Sequence, residues 1–280
     1  MLAKKSLIHV PANADVVKPI IAIIFSLPYL LFAQDKDFFL GAYGSGNASF
    51  ILNQNNFGTL APFEQQVVRQ SELAYKFTPG WAAGVRLGYL FNRKWGIEGG
   101  LHYMDGGQDY EDRMYGPVTI PQGTFGTTGD NRVKVTRDID LKYIQLLLLG
   151  RFSYGERKIK FYLTTGPCFG VRVNGSERVT IAGYEYINDT LNFPFDEKFH
   201  RFDFGVSLNS GAEFWINPYC FINLGLHNYC SVLDINSKKM RELNWYSKND
   251  VEYQRSYNFF TGVQVGIHYV FAKRRFYRRL

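Results

Sequence analysis

The chain has 280 residues, of which 17% are aromatic, and it contains 27 glycines, a composition that suits tightly packed β structure and excludes a largely disordered protein. A mean hydropathy of −0.20 excludes a helical membrane protein, but a transmembrane β-barrel stays open because half of each barrel strand is polar. The formal net charge of +7 gives no case for nucleic-acid binding, since five of the cations lie in a basic tail at residues 273–280.

The first distinctive segment is an apolar run at residues 19–32, which lysines precede and the small residue Ala33 follows. A run of about 14 residues is short for a membrane-spanning helix, which needs about 20. A basic flank, a short apolar core and a small residue are typical of a secretory signal peptide. We therefore predict a signal peptide over 1–33 and a mature domain over 34–280. A buried or anchoring helix is the alternative.

Eight segments of the mature chain alternate between apolar and small or polar residues with a period of two, as strands with two unlike faces do. The fourth segment loses this alternation around 144–149, which predicts a bulge or a locally apolar interior. Together the segments predict an all-β fold, an eight-stranded antiparallel up-and-down transmembrane β-barrel. The predicted strands cover about residues 37–52, 81–92, 95–109, 138–154, 160–173, 201–216, 219–233 and 256–271.

The connections between these segments are alternately long and short, and one long polar connection covers about residues 113–136. Long external loops and short periplasmic turns are typical of outer-membrane barrels. We therefore expect the outer membrane of a Gram-negative bacterium, with both termini in the periplasm. The alternative is a secreted lipocalin-like barrel, which would bury its large apolar face and expose the polar one.

Alternation also places charged residues on the inward faces, where an unpaired charge is costly. Arg86 and Glu98 lie on adjacent strands, and Arg86 should lie opposite Gly100 or His102, which puts Glu98 on a diagonal within reach. We predict that such pairs cross the narrow lumen and plug it; a solvated Arg86 at the rim is the alternative. The predicted lumen charge network comprises Arg86, Glu98, Arg172, Asp203 and Glu213.

The last strand carries aromatic residues at both ends of its apolar face, as membrane-interface girdles do. Gln264, Gly266, Tyr269 and Phe271 also form the pattern polar-x-Gly-x-x-aromatic-x-aromatic, which resembles the signal read by barrel-assembly machinery, although nine residues follow it. A chance match by an amphipathic strand is the alternative.

Three histidines, His102, His227 and His268, are predicted to point inward. Three imidazoles could bind a metal ion. They lie on three different strands, so a polar hydrogen-bond network in the lumen is the simpler interpretation. We expect neither a metal nor a cofactor.

No catalytic pair is evident in the pattern. His227 and Ser231 share one strand face but are about 13 Å apart at strand rise, too far for a base and its nucleophile. The three cysteines have no CxxC spacing, and Cys220 and Cys230 would lie about 33 Å apart on one strand. With Cys168 as the third, we predict no disulfide or metal framework and no enzyme.

Several motifs resemble the PorT-like outer-membrane β-barrel family of Bacteroidetes. These are the Gly/Asn/Ser pattern at 41–49, the Tyr-hydrophobic run at 143–149, the Gly-Pro strand at 162–167 and the Asp-x-Gly with Gly-x-Glu at 203–213. Leu147 stands where the family usually has proline. The resemblance implies a barrel without a shared active site and a link to the protein secretion and gliding machinery.

The expected partners are outer-membrane lipid, the barrel-assembly machinery and, by this resemblance, components of a secretion system. We expect a monomer that binds no nucleic acid. A structural or accessory role is the first functional hypothesis. A surface receptor or adhesin that uses the long external loops is the second.

Overall fold

The computed structural model describes residues 37–53, 74–92, 94–115, 118–120, 123–125, 132–155, 158–187, 195–242 and 253–271. The predicted signal peptide and the basic tail lie outside these residues. The described strands are β1 (Asp37–Leu52), β2 (Ala74–Tyr75), β3 (Thr78–Leu90), β4 (Trp95–Tyr115), β5 (Val118–Ile120), β6 (Gly123–Phe125), β7 (Arg132–Tyr154), β8 (Ile159–Ile181), β9 (Tyr184–Ile187), β10 (Phe202–Asn217), β11 (Cys220–Ser231) and β12 (Tyr257–Val270).

Eight long strands form a closed antiparallel barrel, as the alternation predicts. They pair in the order β1, β3, β4, β7, β8, β10, β11, β12, and β12 pairs with β1 to close the barrel. Each strand therefore pairs with the next long strand along the chain, which is the up-and-down topology. We call the end with the connections at 91–94, 155–158 and 218–219 the short-turn end, and the opposite end the loop end.

The outside of the barrel is apolar and the inside is polar. Leu87 is 53% exposed and Val265 is 52% exposed, whereas their chain neighbours Arg86 and Gln264 are buried. A lipocalin-like barrel would have the opposite arrangement, so the apolar band is a lipid-facing surface. Exposed aromatic residues border it at the short-turn end, namely Phe91, Trp95, Tyr154, Phe161, Tyr269 and Phe271.

Inward glycines make room for large inward rings. The Phe39 ring lies over Gly88, and the His268 ring lies over Gly41, so that a Cβ atom at either glycine would overlap the ring. An eight-stranded barrel has an interior just wide enough for side chains. Small residues on one strand therefore allow rings from the next strand to fill the lumen.

Three strands extend at least six residues further than the sequence predicts. β4 continues to Tyr115, β7 begins at Arg132 and β8 continues to Ile181. The predicted long connection at 113–136 is thus partly wrong, because its two ends are paired strands and the hairpin of β5 and β6 lies between them. We call residues 105–115, 132–142 and 174–181 of these strands the loop-end extension.

β7 contains the predicted irregularity. Its pairing with β8 shifts register between Lys142 and Tyr143, which is a β-bulge or a related irregularity. Beyond it, Leu147 and Leu149 point inward and are buried, while Leu148 points outward. The locally apolar interior predicted for 144–149 is therefore confirmed, whereas the register shift lies just before that stretch.

Two short helices lie in the loop-end connections, α1 (Phe195–Lys198) and α2 (Lys238–Arg241). Ser237 caps α2, since its side chain accepts a hydrogen bond from the Met240 N–H. Phe195 and Phe199 are buried and their rings lie 5.3 Å apart. These connections therefore add to the apolar interior at the loop end.

Within the part of the chain that is described, no helix has the length and apolar character needed to cross a membrane.

Candidate functional site

The lumen is closed at the short-turn end by a buried apolar cluster, the apolar floor. The Trp215 and Phe221 rings lie 4.8 Å apart, and the Phe39 ring meets Phe221 edge-on at 5.6 Å. The apolar floor comprises Phe39, Leu90, Trp215, Phe221 and Val270.

The next layer toward the loop end is charged, and we call it the charged layer. Arg151 forms ion pairs with both Glu98 and Glu213, one through each terminal nitrogen of its guanidinium. Arg86 donates a hydrogen bond from Nη2 to Gln264 Oε1 at 2.7 Å. All five side chains are buried. Because two arginines face two glutamates, the layer carries no net charge and satisfies the requirement that buried charges be paired.

Aromatic rings hold the two guanidinium groups in place. Arg86 Cζ lies 4.0 Å from the centroid of the Tyr43 ring. Arg151 Cζ lies 5.1 Å from the Tyr162 ring centroid. Arginine is suited to such a layer because its planar group stacks on rings while it donates to carboxylates.

The structure brings together three of the five residues predicted for the lumen network, Arg86, Glu98 and Glu213. Arg86 lies opposite Gly100, one of the two predicted positions, but its Nη1 is 4.0 Å from Glu98 Oε2 and the shorter partner of Glu98 is Arg151. The sequence reasoning did not identify Arg151. Its inward position on β7 follows the same alternation and could have revealed it.

Asp203, predicted for the same network, pairs with no arginine in the described residues. It accepts hydrogen bonds from Ser231 Oγ at 2.6 Å and from Asn258 Nδ2 at 2.9 Å. Asn258 Nδ2 also lies 3.2 Å from the Tyr143 hydroxyl. Hydrogen bonds, rather than an opposite charge, therefore satisfy this buried carboxylate.

The predicted inward histidines form parts of hydrogen-bond chains. His102 lies between the Tyr43 hydroxyl at 2.5 Å from Nδ1 and Gln145 Oε1 at 2.6 Å from Nε2. Because the Gln145 oxygen can only accept, Nε2 carries the proton and Nδ1 accepts from Tyr43. The His102 and His227 rings meet edge-on at 5.8 Å. His268 lies apart, with Nε2 3.0 Å from Asn223 Oδ1.

The His227 and Ser231 side chains have different partners. His227 Nδ1 lies 2.8 Å from Asn209 Oδ1, whereas Ser231 is bound to Asp203. Cys168, Cys220 and Cys230 are free. Among the described residues no three His, Cys, Asp or Glu side chains converge as a metal site.

A second buried ion cluster lies in the loop-end extension, where the sequence reasoning predicted a loop. Arg137 Nε donates to Glu177 Oε1 at 2.5 Å, and Lys198 Nζ donates to Glu177 Oε2. All three side chains are buried. Burial raises the pKa of the Glu177 carboxyl, but Arg137 and then Lys198 outweigh it, so the pKa lies below its ordinary value. This cluster joins β7, β8 and α1.

A basic cleft opens beside this cluster, with a volume of about 950 Å³, between β8, α1 and α2. Arg172, which the sequence placed in the lumen network, lines this cleft instead of joining the charged layer. Its Nη2 pairs with Asp196 Oδ1 at 3.1 Å. The charged residues around the cleft are Arg172, Asp196, Glu197, Arg201, Lys238 and Lys239.

The residues of the proposed assembly signal divide between the two faces of β12. Gln264 and Gly266 point inward, and Gln264 accepts the hydrogen bond from Arg86. Tyr269 and Phe271 point to the lipid side and their rings meet edge-on at 5.3 Å. The residues of the pattern therefore also contribute to packing of the barrel. Substitution of the lipid-facing pair distinguishes a role in assembly from a role in packing.

We expect Phe271→Asp to lower the yield of folded barrel strongly in cells. A charge near the membrane interface costs no more than about 1 kcal/mol, so a large loss would come from impaired assembly. The measurement is the folded, heat-modifiable fraction in isolated outer membranes. Tyr154→Asp is the matched control, because Tyr154 is also a lipid-side aromatic residue at the short-turn end, on β7. Equal yields for the two variants would contradict the signal.

Comparison with solved structures gives distant matches to outer-membrane barrels. Neisserial surface protein A is 10% identical, with a TM-score of 0.37, over 84% of this chain and 99% of that chain. Ail, the attachment invasion locus protein of Yersinia pestis, is 11% identical, with a TM-score of 0.35, over 84% and 99%. The outer membrane protease OmpT from Escherichia coli is 12% identical, with a TM-score of 0.31, over 84% and 96%. Likenesses this distant carry no argument about activity.

Comparison with curated proteins gives no significant match. The family model described as outer membrane protein beta-barrel domain matches residues 32–235, which is most of the chain. This match agrees with the closed barrel and its lipid-facing band. The chain therefore belongs to the outer membrane protein β-barrel domain family and is an eight-stranded barrel of the Gram-negative outer membrane.

Proposed function

We propose that this protein is a non-conducting, non-enzymatic barrel that anchors its loop-end extension at the outer membrane, with both termini in the periplasm. The filled lumen is the observation that carries the proposal. The apolar floor blocks the short-turn end, and the charged layer and the hydrogen-bonded side chains of Tyr43, His102 and Gln145 fill the space above it. A lumen filled in this way supports a role outside the pore.

The lengths of the strands support the same proposal. A strand needs about nine to eleven residues to cross an outer membrane. β4 has 21 residues, and β7 and β8 have 23 each, so all three continue well past the apolar band. Their continuation has a buried apolar interior of its own, formed by Tyr110, Val133, Val135, Ile139, Leu141, Val179 and Ile181. Such an ordered structure is suited to holding a partner.

The absence of catalysis is proposed from geometry. Among the described residues, His227 contacts Asn209 and Ser231 contacts Asp203 and the Leu233 carbonyl oxygen, so the imidazole that could activate the serine is not assembled with it. His102 is held between Tyr43 and Gln145 deep in the lumen. A substrate would have to displace the packed interior to reach any of them.

The resemblance to PorT-like proteins suggests that the partner is a component of a protein secretion or gliding machinery, which makes the barrel an accessory protein. A surface receptor or adhesin is the second candidate, and the basic cleft at the loop end favours it. The two differ in phenotype. Loss of an accessory protein traps exported cargo in the periplasm, whereas loss of a receptor leaves export unchanged.

We expect the purified barrel to form no steady open pore in a planar lipid bilayer. The apolar floor excludes water, and a hydrated ion would have to break the ion pairs of Arg151 to pass. The measurement is single-channel conductance, with a known porin in the same bilayer as the positive control. Steady ohmic openings from heat-modifiable, folded protein would contradict the plug.

Co-purification from native membranes tests the partner. We expect a variant in which a two-residue Asn-Gly turn replaces residues 116–131 to keep the folded barrel and to lose the partner, because this change removes the connection beyond β4 and β7 and still lets both strands pair up to Tyr115 and Arg132. Mass spectrometry of the co-purified proteins provides the measurement. If the variant retains the partner in full, the partner must contact another loop. If no partner co-purifies with the parent protein, a stand-alone barrel is favoured.

A further inference from the structure

Arg172 lies at the base of the basic cleft with one guanidinium nitrogen unused. The residue is 8% exposed. Its Nη2 donates to Asp196 and, at 3.4 Å, to the Phe199 carbonyl oxygen. Its Nη1 is buried, and no described group of the protein accepts a hydrogen bond from it. Because a buried donor without an acceptor is costly, it marks a position suited to an acceptor from outside the chain.

The contacts of Arg172 hold it rigidly while leaving its charge available. Its Cζ lies 4.8 Å from the centroid of the Phe195 ring, which fixes the plane of the guanidinium. The Asp196 side chain is 90% exposed, so solvent screens this ion pair and it contributes little. An incoming oxyanion could therefore bind Arg172 without competing against a strong internal partner.

Further cations surround the cleft. Arg201 is exposed and forms no ion pair with a described residue. Lys238 reaches Glu242 only at 3.6 Å, between two exposed side chains, while Lys239 lies 2.7 Å from Glu197. Cations outnumber carboxylates in the lining of the cleft, so its field favours an anion.

The depth of the cleft matches that of lipid headgroups. Arg172 directly follows Val171, which pairs with Phe202, the first residue of β10. Phe202 is 69% exposed, and the Phe169 and Phe204 rings lie 4.9 Å apart just below it. Exposed aromatic rings of this kind mark the membrane interface. Arg172 is thus one residue along β8 from the level of these interface rings, which puts the base of the cleft near the phosphate groups of lipids.

We propose that the basic cleft binds a phosphoryl group, with Arg172 as the buried donor and Arg201 and Lys238 as exposed supporting cations. Several oxygens on one phosphorus suit an arginine fork together with a lysine point charge. The group could belong to a lipid headgroup of the outer leaflet or to a free phosphorylated solute, since the cleft is open and roomy enough for either. This site does not depend on the partner proposed above.

Titration of inorganic phosphate into the folded barrel in an uncharged detergent tests the site. We expect the parent protein to bind phosphate, and Arg172→Gln to weaken binding about tenfold or more, because a hydrogen bond to a charged group is lost. Arg201→Gln should weaken it by a smaller factor. Arg178→Gln is the matched control, because Arg178 lies on β8 like Arg172 but is exposed and pairs with Glu185 outside the cleft. This variant should bind phosphate as tightly as the parent protein.

A second titration assigns the source of the phosphoryl group. The barrel is placed in nanodiscs of phosphatidylcholine with or without phosphatidic acid, whose headgroup is a phosphate monoester. Weaker binding of free phosphate in the presence of phosphatidic acid would support the site with a lipid ligand. Unchanged binding of free phosphate would support a site whose ligand is a soluble phosphorylated molecule.

Three results would overturn the proposal. One is a parent protein that binds neither form of phosphate. Another is a heat-modifiable, folded Arg172→Gln that binds phosphate as tightly as the parent. The third is an equal loss in Arg178→Gln, which would mean that general surface charge is responsible. If Arg172→Gln fails to fold, the double variant Arg201→Gln with Lys238→Gln is tested instead. Phosphate binding as tight as that of the parent protein in this double variant would also overturn the proposal.

Discussion

Arg151→Ala is expected to destabilise the barrel by about 3–5 kcal/mol, the cost of removing one partner from a buried ion pair. Arg151 holds Glu98 and Glu213 at the same time, and all three side chains are buried. Without it, Glu98 has Arg86 at 4.0 Å as its cation among the described residues, and the nearer partner of Arg86 is Gln264. Glu213 keeps the hydrogen bond from Trp215 Nε1 and loses its guanidinium partner. The measurement is the free energy of unfolding in urea, with the barrel in lipid vesicles.

A comparison of two double-mutant cycles isolates the pairing. Adding Glu98→Gln to Arg151→Ala should recover part of the loss, because one unpaired charge disappears. Arg86→Ala is the matched control, since Arg86 is equally buried but its nitrogen is 4.0 Å from Glu98. We expect the coupling of Glu98 to Arg151 to exceed its coupling to Arg86. Additive effects in the Arg151 cycle would refute the charged layer as described.

Glu177→Gln is expected to loosen the loop-end extension and leave the barrel folded. The change leaves Arg137 and Lys198 as two buried cations without the carboxylate between them, again at a cost of about 3–5 kcal/mol. Hydrogen exchange should rise in residues 132–142 and 174–181 and stay slow in the membrane-spanning strands. Heat-modifiable mobility on a gel should be unchanged.

Glu185→Gln is the control for this prediction. Glu185 lies on β9, which pairs with the extension part of β8, but its ion pair with Arg178 is exposed and contributes about 0–1 kcal/mol at most. Lys198→Met combined with Glu177→Gln should restore part of the protection, because one buried cation is removed. Identical exchange in Glu177→Gln and in the parent would show that the cluster does not hold the extension together.

The same cluster gives the extension a defined pH dependence. The pKa of Glu177 in the folded protein is lower than in the unfolded chain, because Arg137 and Lys198 favour the carboxylate more than burial disfavours it. Its stabilisation is therefore complete above the ordinary glutamate pKa of about 4.3 and is lost as the pH falls through the lower folded value. Protection of the extension should persist at mildly acidic pH, and Glu177→Gln should remove this dependence.

The positions and faces of the strands were largely determined by the sequence alone. β1 has the predicted bounds, and β10 and β12 differ from the predicted bounds by one residue at each end. Alternation with a period of two is a local property, so one strand suffices to tell which side chains point inward. The alternating lengths of the connections were equally readable, because turn residues interrupt the pattern.

The extension could have been found but was not. In β7, Val133, Val135, Arg137, Ile139 and Leu141 are inward at every second position, which is a strand pattern. The part of β4 that faces this pattern is rich in glycine and acidic residues, which are typical of a loop. It forms a strand because β7 pairs with it over its whole length. Pairing between distant segments thus overrides local preference there.

Only the tertiary structure decided which charges meet. The alternation of side chains along a strand predicts that Arg86, Arg151 and Glu98 all point inward. The register and tilt of the strands decide that Glu98 pairs with Arg151. They also decide that Arg172 lines the cleft instead of joining the charged layer. The cleft itself combines residues 172–175 of β8 with two helices that begin at Phe195 and Lys238, much further along the chain. The number of residues between such segments does not predict their distance in space, because it is the closed barrel that brings them together.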